Sequence, residues 1–103
     1  MSKAPEDEAY WNLVDEFIQR ANEACDDADP SAVSAALLQA SARFSAFVVA
    51  ASSLDRKEFT EEMDSSLQFL TTQYREHLRA DLEDYRENYK VYIAKERPES
   101  DDD

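Results

Sequence analysis

His77 is the only histidine in the chain, and Asp81 lies four residues on, a spacing that lets the two meet on one helix face. Asp84 falls near the same edge. A metal centre needs more ligands than these. Carboxylate di-iron bundles use Glu-x-x-His on two helices plus further glutamates, whereas the residue three before His77 is Tyr74. The sequence predicts no metal site, and reads His77 as a half-exposed side chain paired with Asp81. Cys25 is the only cysteine, has no histidine near it in sequence, and reads as a small apolar residue. There is no glycine, so a glycine-rich phosphate loop is not expected, nor is there a serine-centred elbow. No catalytic residue and no cofactor are predicted, and an enzyme is not expected.

Arg43 is the one charge between residues 30 and 54. If it is buried it needs a carboxylate, because breaking a buried pair costs about 3–5 kcal/mol. Asp15, Glu16 and Glu62 are the candidates, which makes a structural ion pair the first reading. The sharper reading is an anchor for a partner's carboxylate or an anionic ligand. Asn22 falls towards the apolar side of its helix and is expected to bond across the bundle. Further on, Arg75, Arg79, Arg86, Lys90 and Arg97 lie at intervals of 4, 7, 4 and 7 beside a row of tyrosines. Basic residues among aromatics can bind nucleic acid. However, Glu76–Arg79, Glu83–Arg86 and Glu87–Lys90 also have the spacing of surface ion pairs, which favours a solvated helix.

These residues are carried by helices. Tyr10, Leu13, Val14, Phe17, Ile18, Ala21 and Cys25 form a stripe at helical spacing, predicting a helix over about 7–26. Asp29 is a suitable N-cap and Pro30 a suitable first residue for a second helix over 30–52. This helix is apolar nearly all round, with Val33, Leu37, Ala40, Phe44, Phe47 and Ala51 on one stripe and Leu38, Ala42 and Val49 off it. Asp55 and Glu58 resemble a capping box. From there Phe59, Met63, Leu67, Leu70, Tyr74, Leu78, Tyr85, Tyr89 and Tyr92 follow one face, predicting a third helix over 56–96. A break near Ala80–Asp81, making a fourth helix, is the alternative. The expected fold is all-α: a small antiparallel bundle in one domain, 1–97, with a disordered acidic tail at 98–103.

The lengths do not match. At 1.5 Å per residue the first two helices span roughly 30–35 Å and a continuous third about 60 Å. Tyr85, Tyr89, Tyr92 and Ile93 then lie beyond the ends of their neighbours. Either the chain bends back as a fourth helix or a second copy covers them. The second option predicts a homodimer, the commonest oligomer.

Composition narrows the partners. The 103 residues carry 24 acids against 11 bases, a net charge of −13. Residues 1–29 alone carry −7. Such a chain repels nucleic acid and anionic lipid and favours basic partners. The single cysteine fits a reducing, cytoplasmic setting, and the first residues lack an apolar signal core. Residues 31–54 are the one possible membrane span, but six serines, Gln39 and Arg43 dilute them, and a buried helix is expected instead.

Several stretches resemble a family of small, uncharacterised helical bacterial proteins, a domain of unknown function. They are Asp15–Asn22, Ala42–Ala51, Gln73–Arg75 and Asp84–Tyr89, with the Arg43-Phe44-Ser45-Ala46-Phe47-Val48-Val49-Ala50-Ala51 segment the most specific. The resemblance covers about residues 10–92. It implies a cytoplasmic helical protein with no assigned activity, and lends no catalytic residues. Three functions are open: a small non-catalytic interaction or regulatory module, homodimeric and binding an unidentified protein; an acidic decoy of a basic nucleic-acid-binding protein; and a ligand-binding bundle centred on Arg43.

Overall fold

The computed structural model describes residues 5–93. The expected tail at 98–103 and the end of the predicted third helix lie outside the described residues. The chain is all-helical there: α1 Pro5–Ala24, α2 Pro30–Ser52, α3 Arg56–Glu87 and the single turn α4 Tyr89–Tyr92. It divides into two units, residues 1–52 and 53–103.

In the first unit, α1 and α2 touch each other. The connection shows why the chain turns here. The last turn of α1 tightens, with the amides of Asp26 and Asp27 donating to the carbonyls of Glu23 and Ala24, both at 3.1 Å. Asp29 then caps α2: its Oδ2 accepts from the Ser31 amide at 3.0 Å, and its carbonyl accepts from the Val33 amide at 3.0 Å. Pro30 takes the first helical position, where a missing N–H costs nothing. α2 closes with the Ser52 hydroxyl donating to the Val48 carbonyl at 2.9 Å.

In the second unit, Asp55 caps α3, its Oδ1 accepting from the Glu58 amide at 2.9 Å. Glu58 reaches back to the Leu54 amide, one residue earlier than in a regular capping box. α3 runs through Ala80 and Asp81 without a break. The alternative break there does not form, but the helix expected over 56–96 is interrupted at Asn88, whose φ of −120° and ψ of 31° leave the helical range.

Neither unit has a core of its own, since none of the described residues is buried. In α1 and α2, ten large apolar side chains are at least 40% exposed, with Phe44 at 66% and Phe17 at 62%. Covering a Leu or Phe side chain is worth roughly 1.5–3 kcal/mol. Leaving ten of them about half exposed forgoes on the order of 10 kcal/mol, comparable with the whole stability of a small domain. The faces drawn by the sequence exist, but neither unit by itself fills them.

Candidate interaction face

The aromatic end of α3 carries a cluster of side-chain hydrogen bonds, and Asp84 is its centre. The Asn88 amide donates to the Asp84 carbonyl at 3.0 Å. The Asn88 side-chain Nδ2 donates to Asp84 Oδ1 at 2.9 Å and to the Asp84 carbonyl at 3.2 Å. The other carboxylate oxygen, Oδ2, accepts from the Tyr92 hydroxyl at 2.9 Å. The backbone ladder restarts at Asn88, whose carbonyl accepts from Val91 at 3.0 Å and from Tyr92 at 3.1 Å. A straight helix would take the Val91 amide to the Glu87 carbonyl. The bend sets the Tyr85 and Tyr92 rings 4.6 Å apart, although residues seven apart on a straight helix are separated by about 10.5 Å along its axis.

The Tyr92 hydroxyl therefore holds its proton above the ordinary phenol value of 10.0. The hydrogen bond to Asp84 is the largest cause, followed by the Asp84 charge, desolvation and Tyr85. The contact to Asp84 is intact below the ordinary phenol range and is lost as pH rises through Tyr92's own higher value. In an ultraviolet titration Tyr92 should ionise above the ordinary phenol value, and Asp84→Asn should lower that step. An identical titration in Asp84→Asn and the unmodified chain would contradict the arrangement.

N-terminal to the bend, one side of α3 forms an open groove lined by Tyr74, Leu78 and Leu82 together with Arg75, Arg79 and Arg86. Its ion pairs differ from those the spacing suggested. Arg79 meets Glu83 at 3.9 Å, and Arg86 meets its neighbour Glu87 at 3.0 Å; none of the three i,i+3 pairs forms among the described residues. All four side chains are well exposed, so these pairs add little stability. Leu82 is 60% exposed and was missing from the predicted face, because its position lies at the arginine edge of the tyrosine stripe.

The other sequence candidates stand apart. Arg43 and Asn22 are exposed in the first unit rather than buried between helices. No ion pair joins Arg43 to Asp15 or Glu16 among the described residues. Arg43 is not part of the α3 groove. Ile93 is half-buried, while Tyr85, Tyr89 and Tyr92 are exposed. Cys25 is an exposed free thiol. Among the described residues, no group of three or more His, Cys, Asp or Glu side chains could hold a metal ion.

In the sequence Asp84 stands out as a neighbour of His77 and Asp81 and as the start of the Asp84–Tyr89 stretch, with no role of its own. Its true signal is the spacing Asp84, Asn88, Tyr92, two steps of four residues. That spacing permits a side-chain chain on one helix edge, but does not reveal that the backbone breaks within it.

The class defined so far is an all-helical protein with exposed apolar helix faces and a tyrosine-rich, bent C-terminal turn. The chain belongs to the family DUF3144, described as a protein of unknown function, which matches residues 10–86. The match ends just before the bend, leaving Asn88, Tyr89 and Tyr92 outside it. Neither the curated proteins nor the solved structures contain a match to the chain.

Proposed function

We propose that the chain is a small non-catalytic helical interaction module that pairs with a second copy of itself through the tyrosine-bearing face of α3. In this reading both units belong to one antiparallel helical bundle over residues 1–97, working in the cytoplasm and offering its assembled surface to a further protein. The observation that carries it is the absence of any buried residue among those described, set beside a full complement of apolar helix faces.

Helix length supports a second copy over a closed monomer. α3 has 32 residues against 20 in α1 and 23 in α2. At 1.5 Å per residue α3 outruns α2 by roughly 14 Å. That overhang is long enough to strand the last two to three turns, which carry Leu82 and Tyr85. An antiparallel bundle starting from the short 53–55 connection leaves these turns without a neighbour from the same chain.

α2 is also long and apolar enough to cross a bilayer by length and composition. Against insertion stands Arg43, near its midpoint. A central arginine costs about 2.5–3.5 kcal/mol to insert, so a protein partner accounts better for the exposed α2.

Sedimentation equilibrium tests the reading. The expected particle has twice the 11.8 kDa of one chain. Its association should strengthen as salt is raised, because the net charge of −13 on each copy is then screened. A single-chain mass at every concentration and salt would overturn the self-pairing.

A further inference from the structure

We propose that α4 is a two-position latch: Asp84 holds the last turn bent in the free chain, and the turn straightens to extend α3 when a second copy covers the tyrosine face. This rests on the self-pairing proposed above and names how that contact is regulated.

The bend has no covalent cause. Neither proline nor glycine occurs between residues 56 and 93, so the usual kink-makers are absent. What holds the bend is side-chain chemistry centred on one residue. Asp84 accepts from Asn88 through Oδ1 and from Tyr92 through Oδ2, and the Tyr92 ring rests on Tyr85. All of these groups are exposed to water, where such bonds are weak enough to exchange for others.

The straight form offers something in return. Tyr74, Leu78, Leu82, Tyr85, Tyr89 and Tyr92 are spaced 4, 4, 3, 4 and 3, so a continuous helix places them on one face. In the bent form Tyr92 is spent on Tyr85, and the face stops at the bend. A second copy therefore binds the straight form better, and a ligand shifts a two-state equilibrium by its differential affinity for the two states. The latch sets the threshold at which two chains pair.

Asp84→Ala removes both side-chain acceptors from an exposed position. Two readouts on the full chain separate the possibilities: backbone carbon shifts of residues 88–92, and sedimentation velocity over a dilution series. The expected result is helical shifts continuous through Asn88, with a dimer dissociation constant roughly tenfold lower than that of the unmodified chain. Tyr92→Phe keeps the ring but loses the hydroxyl bond, and should move both readouts the same way by less. If Asp84→Ala straightens the turn but leaves the dissociation constant unchanged, the latch is overturned and the self-pairing stands. If residues 88–92 stay bent in Asp84→Ala, Asp84 does not hold the turn and the latch is again overturned. If the unmodified chain never pairs, both proposals fall together.

Discussion

Phe44→Ala is expected to lower stability by about 3–5 kcal/mol, the usual cost of emptying a buried aromatic site. In the single chain Phe44 is 66% exposed, with Phe47 beside it at a ring separation of 5.9 Å. A side chain that truly faced water would cost within about 0.5 kcal/mol when truncated. The two outcomes differ several-fold, so one urea melt decides between them. A large loss means that α2 is covered in the working protein, as the bundle requires. A near-neutral result would mean that the apolar surface of α2 is free, and the bundle would have to be abandoned. Measuring at two protein concentrations adds a further distinction: if the cover comes from a second copy, the midpoint rises with concentration.

Leu82→Asp should abolish self-pairing while leaving the helix content of the chain unchanged. Leu82 lies within the α3 groove, between Leu78 and the tyrosines, and is well exposed in the single chain. A charge at such a surface position costs the free helix little. Inside an apolar contact the same carboxylate would be desolvated with no partner, which costs several kcal/mol and corresponds to a dissociation constant at least about a hundredfold higher. Circular dichroism together with sedimentation reads both quantities. Retained pairing in Leu82→Asp would place the contact elsewhere on the molecule.

Helix chemistry was the legible part of the sequence, because its causes are local. Asp29 before Pro30, and Asp55 three residues before Glu58, act within one turn, and the structure uses both pairs as caps. The all-α class follows from the same kind of signal, in stripes at helical spacing. Ion pairing was less legible. Arg79 had a glutamate available on either side and took Glu83, while Arg86 took the adjacent Glu87. Exposed pairs of this kind differ in energy by less than thermal fluctuation decides, so spacing alone does not rank them. The role of Arg43 is not legible from its helix alone. An apolar helix around a lone charge implies burial only where another element packs against it, and Arg43 is exposed in the first unit.

The sequence by itself therefore determined that this protein is helical and acidic, where α2 and α3 begin, and which faces are apolar, since each of these depends on residues within a turn or two of one another. It also placed the tyrosines on the last stretch of α3. The three-dimensional structure decided where that stretch ends. It shows α3 continuous through Ala80–Asp81 and leaving helical dihedrals at Asn88, where Asp84 accepts from both Asn88 and Tyr92. Local propensity near Asn88 favours neither outcome strongly, and the bond at the bend joins Asp84 to a hydroxyl eight residues further on.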